Sequence, residues 1–524
     1  MRRVGRSTVM SPKSMVATSQ PLAVQAGLDI LKAGGNAVDA AIAAAAVLNV
    51  VQPMSTGIGG DLFALVYHAP SEKLVGLNAS GRAPENATVQ AYQNRGFTKM
   101  PEDGILTVTV PGAPHGWEAL LKEFGTKSVS ELLQPAIEYA QNGFPVTEII
   151  SRGWQMREEK LKQHESTAEN YLIDGQAPRP GQLFKNPNLA RTFRQLARDG
   201  IATFYEGEIA EQIVKESEKH DGLLSLNDLR HDEPTWIDPI SIPYRGFTVY
   251  ELPPNTQGLI TLLALNIVEG FDLAELEHNS AQYLHTLIEA IKLAFADGMH
   301  YIADPEFEDV PIEPLLSKAY AAQRKTLIQE RASPGVVHGL PEGGTVYITV
   351  VDEQRNVASF IQSLFMSFGS GVTAGDTGIL LQNRGSLFSL DPGHANHLEP
   401  GKRPYHTIIP AMVFQGETPW MSFGVVGGFM QPQGHLQLLC NLIDHQMDLQ
   451  QAIEIPRFNF FEGNRVALEQ SISQQVRERL RTRGHELIAG DGNFGGAQAI
   501  VIDPESGVLL GGSDPRGDGC AQGY

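Results

Sequence analysis

Residues 343–363 read GGTVYITVVDEQRNVASFIQS, and this stretch decides the fold. Thr345–Val351 is apolar at alternate positions on both faces: Val346, Ile348 and Val350 on one, Tyr347 and Val351 on the other. A strand with two apolar faces is covered on both, as in a sheet stacked between other layers. The polar run Asp352–Asn356 then supplies a turn, and Val357–Ser363 returns as a second strand, so the segment predicts a β-hairpin. Gly343-Gly344 stands before the first strand. With 53 glycines in 524 residues the triplet Gly-Gly-Thr arises easily by chance, and alone it reads as a loop entering a strand. It admits a second reading. A threonine becomes a good nucleophile when it is the first residue of a chain, because its own α-amine, with a pKa of about 8, can take the hydroxyl proton. That requires cleavage of the Gly344–Thr345 bond, and two glycines there permit a strained backbone and an unhindered carbonyl.

Outward from this segment, residues 115–335 read mainly helical. Ser130–Asn142 is amphipathic and stops at Gly143. Ser280–Asp297 lacks glycine and proline and carries Leu284, Leu287, Ile288 and Ile291 at helical spacing. Ile240–Leu252 is a short β-like piece between helices. Nearer the start, Pro21–Leu31 reads as a helix ending at Gly34-Gly35. Asn36 then caps an Ala-rich helix running to about Val51, with Asp39 in its first turn. Gly57–Gly60 makes a turn into a strand at Leu62–Tyr67, where close backbone approach is expected.

Composition narrows the function. A hydrophobic content of 42% and a charged content of 19% describe an ordinary globular chain. The formal net charge of −20 repels phosphate backbones and anionic lipid, so neither nucleic acid nor membrane is an expected partner. The most apolar stretch, Val38–Val51, is too short to span a bilayer. Cys440 and Cys520 form neither a disulfide framework nor a metal-like spacing. Met1–Gln20 has basic residues without a following apolar run, so the expected location is cytoplasmic. His394 and His397 form an H-x-x-H in a loop and read as solvated; no metal or cofactor is expected. No G-x-S-x-G, H-E-x-x-H, Walker A or full G-x-G-x-x-G is present.

Over nearly its full length the sequence resembles the γ-glutamyltransferase (glutathione hydrolase) family. The matching stretches are GGNAVDAA (Gly34–Ala41), GIGG (Gly57–Gly60), VPG (Val110–Gly112), LQPA (Leu133–Ala136), FAD (Phe295–Asp297), TVYITVVD (Thr345–Asp352), GDTGILL (Gly375–Leu381), KRP (Lys402–Pro404), Gly427-Gly428, Pro456-Arg457 and SDPR (Ser513–Arg516). The resemblance implies an α+β fold, the four-layer αββα sandwich of N-terminal-nucleophile hydrolases. It also implies self-cleavage into a large subunit (1–344) and a small one (345–524) that together form one domain. By resemblance Thr345 is the nucleophile, Ser363 is the hydroxyl bonded to it, and Gly427 and Gly428 supply the oxyanion hole.

The substrate positions depart from the family pattern. Phe365 stands where the family has a glutamyl-binding Asn. Arg384 replaces its Gln or Glu, and Leu387 replaces the Asp that holds the substrate α-amine. His406 and Thr407 replace paired serines. The family's carboxylate-binding Arg falls near Ser80-Gly81-Arg82, offset by two residues, which makes Arg82 the candidate. Leu390–Gly401 is too short for the lid of some members. These changes resemble the cephalosporin-acylase-like branch. The expected function is a glutathione hydrolase-like amide hydrolase or acyltransferase acting on a γ-glutamyl or related acyl amide. A glutaryl or cephalosporin-type acylase is one alternative, and an unprocessed, non-catalytic binding relative is the other. Arg384 either points into the pocket, where it attracts a carboxylate, or turns out to solvent.

Overall fold

The computed structural model describes residues 5–333, 343–490 and 493–524. The loop expected just before Gly343 lies outside them. Two seven-stranded sheets carry the molecule. Their strands are β1 (Val9–Ser11), β2 (Met15–Thr18), β3 (Asp61–His68), β4 (Lys73–Ala79), β5 (Thr235–Ile237), β6 (Ile240–Tyr244), β7 (Phe247–Glu251), β8 (Gly344–Val351), β9 (Val357–Phe365), β10 (Ala411–Gln415), β11 (Thr418–Val426), β12 (Gly496–Ile502), β13 (Leu509–Ser513) and β14 (Cys520–Gly523). One sheet has the order β14-β2-β8-β9-β3-β4-β5 and the other β1-β13-β12-β11-β10-β7-β6. Every neighbouring pair within these two sheets is antiparallel.

The hairpin read from residues 345–363 is β8–β9, and its alternation assigns the layers. Val346, Ile348 and Val350 pack into a core with the helices α1 (Pro21–Lys32), α2 (Ala37–Val51), α3 (Ala113–Phe124), α4 (Val129–Asn142) and α5 (Pro187–Asp199). Tyr347 and Val351, on the opposite face, pack with Met412, Phe414 and Ile500 of the other sheet. That sheet's outer face, through Val413, Phe423 and Ala499, meets α6 (Gly258–Val268), α7 (Ala281–Tyr301) and α8 (Met430–Leu439). The result is the expected αββα sandwich, with a helix–sheet core on each side and a sheet–sheet core between.

α2 shows how sequence sets this packing. Asn36 Oδ1 accepts from Val38 N and Asp39 N, and Asp39 Oδ2 accepts from Asn36 N, a reciprocal cap that fixes the helix start. All fifteen of its residues are buried, and the alanines let α2 lie close between β8, β9 and α4. No helix of the described residues is long and apolar enough to cross a membrane.

Candidate active site

The first residues of β8 are set by an irregularity in the hairpin. Gly344 pairs with Phe365 but Val346 pairs with Gln362, so two residues of β9, Ser363 and Leu364, stand opposite Thr345 alone. The bulge brings the Ser363 hydroxyl across to Thr345. Thr345 Oγ1 donates to Ser363 Oγ at 3.3 Å, and Ser363 Oγ donates to the Gly344 carbonyl oxygen at 2.6 Å. The hydroxyl of residue 345 and the carbonyl of the bond before it thus share one bridging group. The backbone N–H of Phe365 donates to Ser363 Oγ at 2.8 Å and holds that group in place.

The two glycines serve close approach. Gly344 has no positive φ. A Cβ on Gly344 would lie 3.0 Å from the Met54 carbonyl oxygen, and one on Gly343 would lie 3.0 Å from Gly428 Cα. The chain reaches Thr345 through a gap that a side chain could enter only by pushing backbone aside.

That gap is bounded by Gly427-Gly428. The pair leaves β11 with φ of +125° and +62° and leads into α8, so its N–H groups sit at the positive end of a ten-residue helix. Among the described residues these N–H groups have no hydrogen-bond acceptor. Free donors at a helix start, beside a reactive carbonyl, suit an oxyanion. Gln257 fastens the pair: its Nε2 donates to the Gly428 carbonyl at 3.0 Å and to the Thr407 carbonyl at 2.6 Å. Gly427 also lines a cavity of about 210 Å³ together with Gln52, Ser55, Gly344, Thr345 and Asp514. A wider cleft of about 990 Å³ is walled by Met366, Ser367, Leu387, Phe388 and Phe429. One of its lining residues, Ser367, backs onto the same bond, its Cα 3.6 Å from where a Gly344 Cβ would lie.

Gly427→Ala is expected to lower kcat by roughly 10²- to 10³-fold, the usual loss when one oxyanion donor is displaced. Its φ is closed to L side chains, and a Cβ there would meet Asn493 Oδ1 at 2.9 Å and Gly495 Cα at 3.3 Å. Steady-state rates with the melting temperature measured alongside check this; unchanged kcat would remove Gly427 from the site.

Arg384 is fully buried, which overturns the alternative of an arginine turned to solvent. Its Nη1 donates to Thr407 Oγ1 at 2.8 Å and its Nη2 to Ser363 Oγ at 3.3 Å. The Phe365 ring covers one face, its centroid 4.3 Å from the guanidinium carbon. Nε has no partner among the described residues, and none of the ion pairs there includes Arg384. Burial pushes its pKa down to about 9, with Asp61 pulling it back through space. Thr407 and Phe365 therefore sit with Arg384, one hydroxyl away from Thr345.

His406 is placed differently. Its Nε2 donates to Asp61 Oδ2 at 3.0 Å, inside a buried network in which Asp61 also accepts from Gly81 N and Gln382 Nε2. Burial pushes the Asp61 carboxyl up to about 6, and burial together with Arg384 holds His406 well below the ordinary imidazole range. His406 is thus a neutral hydrogen-bond donor that supports the wall behind Arg384. Arg82 is not brought to Thr345. Its guanidinium bonds Glu306 Oε1 at 2.7 Å and the Gly401 carbonyl at 3.0 Å, and it lines neither cavity. Gln257 and Asp61 were not legible as site residues: they lie far from Thr345 in sequence, in segments without a catalytic pattern.

Comparison with known proteins agrees with this geometry. The family model described as Gamma-glutamyltranspeptidase matches residues 23–524. The glutathione hydrolase-like YwrD proenzyme of Bacillus subtilis (strain 168) is 43% identical over 98% of this chain and 99% of its own length. The oxamate amidohydrolase proenzyme of Klebsiella pneumoniae is 36% identical over 99% of this chain and 100% of its own. Among solved structures, a cephalosporin acylase from Bacillus halodurans superposes with a TM-score of 0.94 at 45% identity, covering 100% of this chain and 98% of that one. With a matching family model and full-length relatives on both counts, this chain belongs to the γ-glutamyltranspeptidase family of N-terminal-nucleophile amide hydrolases.

Proposed function

We propose that the chain cuts itself between Gly344 and Thr345, and that the freed Thr345 then takes acyl groups from amides whose acyl part ends in a carboxylate. The observation that carries this is the bridging hydroxyl of Ser363, hydrogen-bonded to the Thr345 hydroxyl, to the Gly344 carbonyl and to the buried, unpaired Arg384. In the uncleaved chain the Thr345 hydroxyl attacks the Gly344 carbonyl carbon while Ser363 donates to its oxygen. The C–N bond breaks as the hydroxyl proton passes to the departing Thr345 nitrogen, the acyl group is left on Oγ1, and water hydrolyses that ester to leave a Gly344 carboxylate and a free Thr345 α-amine. In turnover the α-amine accepts the hydroxyl proton, the N–H groups of Gly427 and Gly428 hold the oxyanion, and the proton passes to the leaving amine. Water or a second amine then releases the acyl group.

The carboxylate preference follows from charge. A buried guanidinium without an ion pair is costly, and an anionic acyl group supplies the missing counter-charge. A γ-glutamyl group adds an ammonium, which Arg384 repels and for which the Leu387 side chain has no acceptor.

The purified protein should run on a denaturing gel as two fragments, about two-thirds and one-third of the chain. Terminal sequencing of the smaller should begin Thr-Val-Tyr-Ile. Protein that stays whole and yet hydrolyses amides would refute the reading.

A further inference from the structure

The same site contains a limit on acyl length. Resting on the reading of Thr345 as the nucleophile, we infer that Arg384 and Phe365 form a short ruler. They would select amides of the smallest dicarboxylic acids, oxalic and malonic, over succinic and above all glutaric monoamides.

Three observations set the ruler. Thr345 Oγ1 and Arg384 Nη2 each lie 3.3 Å from Ser363 Oγ, so the nucleophile and the guanidinium are separated at most by those two contacts end to end. An ester bond at one end and a charge-assisted hydrogen bond of about 2.8 Å at the other consume most of that span. What remains suits one or two carbon–carbon bonds of about 1.5 Å each. An oxalyl group has one such bond between its carboxyl carbons and a malonyl group two; a glutaryl group has four and must fold back on itself.

The second observation is the unpaired Nε of the guanidinium. Nη1 is engaged by Thr407, but Nε is buried without a partner, beside Nη2. Nε and Nη2 form the two-donor edge that receives a carboxylate side-on. Among the described residues no carboxylate bonds that edge: Nη2 has only its long contact to Ser363 Oγ, Asp61 acts only through space and is itself bonded to His406, Gln382 and Gly81, and Tyr405 donates to Gln257.

The third is bulk. Phe365 is fully buried with φ of +76°, and its ring covers one face of the guanidinium. On the other side of the nucleophile, the space that Gly343 and Gly344 fill in the uncleaved chain is tight, a Cβ at either lying 3.0 Å from backbone atoms of Gly428 or Met54. A longer acyl chain has to displace either the ring or the walls formed by Met54 and Gly428.

The test uses the self-cleaved wild-type enzyme and the 4-nitroanilides of oxalic, malonic, succinic and glutaric acid, with acetyl and butyryl anilides as uncharged controls. Each kcat/KM is divided by the uncatalysed hydrolysis rate of the same anilide. The expected maximum lies at oxalyl or malonyl, with glutaryl at least tenfold lower. Phe365→Leu, provided it still self-cleaves on a gel, should move the maximum toward succinyl or glutaryl; if it fails to cleave, the wild-type series decides alone. A profile that is flat in length or highest at glutaryl overturns the ruler while leaving the proposed chemistry intact. Uncharged controls as fast as charged donors of equal length would instead defeat the carboxylate preference itself.

Discussion

Thr345→Ala is expected to leave one full-length band on a denaturing gel and to lower amide hydrolysis by three orders of magnitude or more. Both effects have one cause. The substitution removes the oxygen proposed to attack Gly344 and later to carry the acyl group, and no neighbouring hydroxyl is placed to replace it. Ser363, the nearest, is held by Phe365 N and donates to the Gly344 carbonyl oxygen, not toward its carbon. The fold should survive, because a buried threonine with one long hydrogen bond gives up only about 1–2 kcal/mol. A melting temperature within several degrees of wild type would establish this. Thr345→Ser retains the oxygen and should still cleave. A Thr345→Ala protein that appears as two fragments would place the cleavage chemistry elsewhere.

The double change Arg384→Gln with Leu387→Asp should reverse the donor preference. γ-Glutamyl and glutaryl anilides are the informative pair, because they match in length and differ only in the amine. Wild-type enzyme should favour glutaryl, since Arg384 repels the ammonium and Leu387, on the wall of the wider cleft, has no acceptor for it. The double variant removes a cation and adds an anion, and the ratio should shift toward γ-glutamyl by at least tenfold, about 1.4 kcal/mol in barrier. Arg384→Gln alone should slow the anionic donor by roughly ten- to a hundredfold, the scale of a charge-assisted hydrogen bond. Wild-type enzyme that already prefers γ-glutamyl anilide by tenfold would show that the guanidinium does not act on the acyl group.

What the sequence disclosed and what it withheld divide along physical lines. Strand alternation is local, so the β8–β9 hairpin and its two covered faces could be read from Val346, Tyr347 and Ile348. The Asn36 cap was equally local. Ser363, Gly427 and Gly428 are short-range features only in space; resemblance to a family supplied them, and the bulge at Thr345 explains why Ser363 reaches its place. Whether Arg384 was buried depended on contacts with Thr407 and Phe365 that no periodicity encodes. For Arg82 a two-residue offset in a loop containing Gly81 carries no register signal. The structure puts Arg82 on Glu306 instead. The unhindered carbonyl expected of Gly343-Gly344 has its structural counterpart in tight clearance, a property of neighbours 54–55 and 428 that are remote in sequence.

The order of strands within the sheets bears on what happens after the cut. In one sheet β8, β9 and β14, which follow the Gly344–Thr345 bond, alternate with β2 and with β3-β4-β5, which precede it; in the other β1 and β7-β6 flank β10 to β13. The two products of the proposed cut would therefore be woven together by main-chain ladders rather than docked across a surface. Dilution offers them no shared interface to open, and halves made separately would have to build both sheets jointly from unpaired edges. If the chain cuts itself as proposed, maturation in this architecture would run in one direction, from a single folded chain to a permanent pair, and one severed bond would mark the difference.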